Sequence, residues 1–198
     1  MSWIDLLVPR FGPASWGRLV VAAAVGALIA GGYGIVHDQL TYTLGPEYFT
    51  RFKFLQFDWA NRGQAERLYV AEIGFHATWW VGAICGWTLG RLTCRSPREV
   101  RKPAEILRGF PIILGISALS GIAGLAYGHH HLNHGGLSYW EPFREAYGIQ
   151  DLEAFARVGY IHNFGYAGAV IGLIAAILIG RRRTFSGNHE RNKIDEIA

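Results

Sequence analysis

The sequence predicts an all-α fold: an integral membrane four-helix bundle with both termini in the cytoplasm (N-in, C-in) and two longer extracytoplasmic connections. Three observations lead there. The composition is 51% hydrophobic and only 17% charged, with a mean hydropathy of +0.16, whereas a soluble domain carries about 25% charged residues. The apolar residues fall into four blocks, 19–36, 68–89, 109–127 and 158–180, each of a length that crosses a bilayer as helix, about 20 residues. Lysine and arginine gather in the segments between and outside alternate blocks, as cytoplasmic segments do.

The first block, "LVVAAAVGALIAGGYGIV", has almost no polar stripe at helical spacing, which a helix of a soluble bundle would show. It follows sixteen or more residues that include Pro9 and Pro13 and is longer than the apolar run of a signal peptide, so it is expected to remain as a span. The second block contains "VAEIGFHATWW", in which Glu72 and His76 lie four residues apart and so share a helix face. The third, "GFPIILGISALSGIAGLAY", and the fourth, 158–180, repeat small residues every fourth position, as in Ser120, Gly124 and Gly128 or Gly168, Gly172 and Ala176. The first does so through Ala27 and Gly31. Such spacing allows close helix contact in a membrane.

Orientation follows from charge. The link "RLTCRSPREVRK" holds Arg91, Arg95, Arg98, Arg101 and Lys102; the tail, 181–198, opens with Arg181, Arg182 and Arg183; the N-terminal segment adds Arg10 and Arg18. The connections 39–67 and 128–157 balance their positive charges with Glu47, Asp58, Glu66, Glu141, Glu145, Asp151 and Glu153. The net charge of +4 thus reflects topology, and no nucleic-acid partner is implied. The two cysteines, Cys85 and Cys94, suggest no disulfide framework. In the first connection, "EYFTRFKFLQFDW" interleaves aromatic residues with Arg51 and Lys53, a pattern suited to a segment lying in the membrane interface.

Seven of the eight histidines map to the outer face, and every span supplies at least one; only His189 lies in the tail. Histidines do act as amphipathic interface anchors, which accounts for loop positions such as His131 and His134. It does not account for His76, about 12 Å below the start of its span at a rise of ~1.5 Å per residue. An ionisable group at that depth faces the bundle interior and has a partner. Glu72 is the expected partner. His162 with Tyr166 and Asn163 in the last span, and Tyr33 with His37 and Asp38 in the first, form further polar constellations. Imidazole with carboxylate suits a transition metal such as zinc, iron or copper, and a single methionine at the initiator position argues against a cuprous site. The candidate ligands are His76, His162 and Glu72, then His37 and His130, with Asp38 and Glu47 as oxygen donors to the ion or supports behind its ligands.

The stretch "YGIVHDQLTYTLGPEYFT", with "HNFGY" in the last span, resembles an uncharacterised family of small bacterial four-helix membrane proteins. Its pattern is met by His37, Asp38, Glu47, Tyr48, Phe49, Thr50, His162, Asn163 and Tyr166. The resemblance implies a multi-pass protein of a bacterial cytoplasmic (inner) membrane and carries no reaction with it. Three function classes are open at this point. A membrane metalloenzyme would use the ion to activate water or oxygen. A haem-binding or electron-transfer subunit would place two histidines as axial ligands, with Trp79, Trp80 and Phe164 around the macrocycle. A non-catalytic accessory subunit would use the histidines for hydrogen bonds only. Beyond the lipid bilayer, the partners expected are other membrane subunits or further copies of this chain.

Overall fold

The computed structural model describes residues 12–93 and 100–195, with 183–195 described by backbone alone. Arg10, Cys94, Arg95 and Arg98, which the sequence reading used, lie outside the described residues, as do 196–198. The described chain is helical, with no strand among those residues. Helix α1 (Pro13–Leu44) begins with Gly12 extended and a proline in its first turn, where the missing N–H costs nothing, and stops at Gly45. A π-helical turn (Tyr48–Lys53) runs into one turn of α-helix, Phe54–Gln56, and a 3-10 turn, Asp58–Ala60. Helix α2 (Glu66–Leu92) then returns. Helices α3 (Pro103–Leu107) and α4 (Phe110–Asn133), a 3-10 turn (Gly136–Trp140), α5 (Glu141–Tyr147) and α6 (Leu152–Asp195) complete the order. Gly148 ends α5 in the left-handed region at φ 65°, a conformation glycine adopts without penalty.

Among the described residues there are therefore six α-helices of five residues or more, rather than four. The four expected spans correspond to α1, α2, α4 and α6, and α3 and α5 are short additions in the connections. Among the described residues, three stretches are long and apolar enough to cross a membrane: Pro13–Leu44, Pro103–Asn133 and Leu152–Arg182. Helix α2 falls short on composition, not length, because His76, Thr78, Trp79, Trp80, Trp87 and Thr88 dilute its apolar run. The helix expected to end near 180 continues into the basic tail as far as Asp195.

The four long helices form two hairpins. Helices α1 and α2 pack along their whole length, as do α4 and α6, while the two hairpins touch at few points. Glycine makes the first seam. A methyl added at Gly34 would collide with the Gly74 carbonyl, and one at Gly82 with the Gly26 carbonyl, so the backbones meet directly. Thr78 adds a bond across this seam, donating to the Ala30 carbonyl at 2.8 Å. In the second hairpin Gly124 and Gly128 receive Tyr160, and Gly168 receives Ser120. Large apolar side chains such as Leu28, Leu40, Leu119, Ile122, Val170 and Ile174 point outward and are more than half exposed, an apolar surface that suits lipid rather than water.

Packing concentrates at the two ends. An aromatic cluster that includes Tyr48, Phe49, Trp140, Leu152 and Phe155 fills the end formed by the two longer connections. At the other end Leu19, Leu89, Val100, Ile106 and Phe110 form a second cluster, close to Arg18, Arg91 and Arg101. Between the clusters, where the hairpins are loosely joined, lies the polar group described next.

Candidate metal centre

Three potential ligands converge between the hairpins. One ring nitrogen each from His37 and His162 and one carboxylate oxygen of Asp38 all lie within 4.8 Å of one another. His37 and Asp38 are neighbours about two turns before the end of α1, and His162 faces them from α6. Asp38 is 4% exposed and His162 3%, so a carboxylate has been taken almost wholly out of water. That placement costs several kcal/mol, on the order of the desolvation penalty of a buried ion, unless a positive charge faces it.

The hydrogen bonds define the ring. His162 Nδ1 lies 3.0 Å from the Val158 carbonyl, one turn earlier in its own helix. A carbonyl only accepts, so Nδ1 carries the proton and donates. His162 Nε2 lies 3.3 Å from Asp38 Oδ1. In the neutral ring Nε2 then has a lone pair, and two lone pairs would oppose each other. Either a second proton or a cation must stand between them. The His37 ring makes no hydrogen bond among the described residues; it stacks on Tyr33 at 5.6 Å and meets His162 edge-on at 4.9 Å. Its nitrogens are free to ligate.

The His162–Asp38 spacing fits a metal ion, with a His37 nitrogen within 4.8 Å of both. Bonds of ~2.0–2.1 Å at a tetrahedral ion separate neighbouring ligand atoms by about 3.3 Å, which is the His162–Asp38 distance. Two imidazoles and one carboxylate make the donor set found at catalytic zinc and at non-haem iron with open positions. A cavity of about 80 Å³ adjoins the three residues, bordered by Thr78, Ser117 and Tyr166. Tyr48 lies against the other side of His162 with its ring stacked at 4.8 Å, and burial holds its phenol well above the ordinary range, so it stays protonated.

The remaining candidates are elsewhere. Glu72 and His76 share a face of α2 but do not meet. The Glu72 carboxylate turns back to the preceding connection, where it pairs with Arg62 and accepts from Gln64 Nε2 at 3.0 Å. A guanidinium brings a full charge and several N–H donors to the carboxylate. His76 packs edge-on against Trp59 at 4.9 Å. His130 lies on the exposed end of α4, its ring 4.3 Å from that of His134. Glu47 caps α6: its Oε2 accepts from the backbone N–H of Gln150 at 2.9 Å and of Asp151 at 2.7 Å, where a carboxylate also meets the positive end of the helix dipole. His131, expected in a loop, lies in the last turn of α4, where its Nδ1 is 2.8 Å from the Tyr160 hydroxyl.

Two neighbours of the centre escaped the sequence reading as parts of a site. Tyr48 and Lys53 come from the connection after α1, and no spacing rule links them to a histidine more than a hundred residues later. Tyr48 stood beside His37, Asp38 and His162 only in the pattern of the resemblance, and Lys53 only inside an aromatic run. Comparison with protein-family models, curated proteins and solved structures finds no match to this chain.

Proposed function

We propose that this chain is a four-span integral membrane protein of a bacterial cytoplasmic membrane that holds one transition metal ion between His37, Asp38 and His162. The carrying observation is the 3.3 Å approach of His162 Nε2 to Asp38 Oδ1 with Nδ1 already committed to Val158, which leaves a cation-shaped gap beside the free nitrogens of His37. Zinc and iron suit the donor set best. In this reading α2 is the fourth span, with Thr78 bonded across the glycine seam to α1. The connections 45–65 and 134–151 are extracytoplasmic, so the centre opens toward that side.

Such an ion would supply Lewis acidity or an activated water or oxygen. The chain's own residues do the rest: Val158 fixes the His162 tautomer, Asp38 offsets the ion's charge, and Tyr166, Thr78 and Ser117 line the adjoining cavity. A membrane metalloenzyme is therefore the favoured class. A haem is less well supported, because the two imidazoles meet edge-on with centroids 4.9 Å apart and leave no room for a macrocycle between them.

A second reading rests on the same contact. An imidazolium on His162 paired with ionised Asp38 would also satisfy both atoms and would make the group an interhelical lock, as in an accessory subunit. Calorimetric titration of chelator-treated protein with zinc or ferrous ion separates the two. The metal reading expects one site per chain, weakened at least tenfold by His37→Ala and abolished by His162→Ala. Absence of saturable binding to the wild-type chain would favour the lock.

A further inference from the structure

A groove of about 840 Å³ runs down the flank of the bundle between α2 and α6. His76, Trp80 and Ile84 line one wall at four-residue intervals, and Tyr166, Val170 and Leu173 line the other. The helix rise makes each wall about 10 to 12 Å long. Below His76 the walls are apolar. The connection after α1 closes one end with Phe57, Gln56 and Lys53.

Lys53 is the unusual member. It is 8% exposed, yet among the described residues its ammonium makes no hydrogen bond and no ion pair. Its contacts are the ring faces of Tyr48 at 5.9 Å and Phe57 at 5.8 Å. The field of Asp38 reaches it, but burial outweighs that field and holds its pKa below the ordinary 10.5. A cation with three donors, mostly removed from water and without an acceptor among the described residues, is costly unless something fills the place. Here the open space beside it is the head of an apolar groove.

We infer that this groove binds a single-chain amphiphile with a carboxylate head, of the long-chain fatty acid class, its carboxylate on Lys53 and its chain between Trp80, Ile84, Val170 and Leu173. One unpaired cation calls for one negative charge, and a single trough about two helical turns long holds the first half of one long chain. Gln56 and His76, the other polar residues nearest that end, can donate to the second carboxylate oxygen. Tyr166 borders both this groove and the cavity beside His37, Asp38 and His162, so the bound molecule would lie one side chain away from the proposed centre. The inference does not require a metal there.

The test uses the full chain in phosphatidylcholine nanodiscs, with brominated palmitate quenching tryptophan fluorescence. Saturable quenching that falls by at least half in Trp80→Phe is expected, with methyl palmitate competing at least tenfold more weakly than palmitate. Lys53→Met should weaken palmitate at least tenfold. Val170→Trp, which fills the trough and leaves the cation in place, should block it. Equal competition by the methyl ester, or palmitate binding unchanged in both variants, would mean a non-selective lipid surface and overturn the proposal. So would displacement of palmitate by phosphatidylglycerol at equal concentration, which would reassign the groove to phospholipid. Metal content unchanged by palmitate leaves this result independent of the centre.

Discussion

Asp38 and His162 meet at 3.3 Å although 124 residues separate them. The contact joins the first hairpin to the second, whose helices otherwise touch at few points. It is therefore both the chemically richest point of the molecule and one of the few ties between its halves. Removing either partner has two separable consequences, one on ligand binding and one on the fit of the hairpins.

The glycine seam predicts which hairpin is more fragile. Gly34→Leu or Gly74→Leu should force α1 and α2 apart and lower the melting temperature of detergent-solubilised protein by several degrees, with a cost on the order of 1–3 kcal/mol for overpacking. Gly32 faces open space, so Gly32→Leu in the same helix should leave the melting temperature unchanged within about a degree. Equal effects at Gly32 and Gly34 would contradict direct backbone contact.

Lys53 predicts a pH dependence of stability. Burial lowers its pKa in the folded protein below the unfolded value of 10.5. Between those two values the unfolded chain binds more protons, so stability rises with pH through the window and the penalty is present in full below it. Melting curves of the wild type and Lys53→Met should thus converge as pH rises toward 10.5 and diverge below, with the methionine variant the more stable at pH 7. A constant difference across pH would show that Lys53 is charged at no cost.

Topology is checked with a reporter enzyme active only outside the cytoplasm. Fused within the connection 134–151 it should be active, and fused after Arg182 it should be silent. The reverse pattern would turn the candidate centre toward the cytoplasm.

The sequence made much of this legible, and the limits are physical. Block length and hydropathy identified α1, α4 and α6 as long apolar helices, because crossing a bilayer imposes a length that any reader can count. The short helices α3 and α5 stayed hidden in connections read only for charge. His37, Asp38 and His162 were all candidate ligands of one site, but Glu72, His76, His130 and Glu47 were grouped with them, since periodicity tells which residues share a face and not which face meets which. The same limit explains Glu72 and His76. Four-residue spacing put them on one side of α2, yet Arg62 and Trp59, delivered by the chain just before that helix, claimed them separately. Glu47 likewise reads as a potential ligand until α6 brings two unpaired backbone N–H groups to it.

The central claim is that a metal ion belongs between His37, Asp38 and His162. Its most direct measurement is the elemental content of wild-type protein purified in detergent without chelators, beside His162→Ala and His76→Ala. The account predicts about one zinc or iron per chain in the wild type and in His76→Ala, and background content in His162→Ala. Background metal in the wild type, or loss on changing His76 with retention on changing His162, would contradict it.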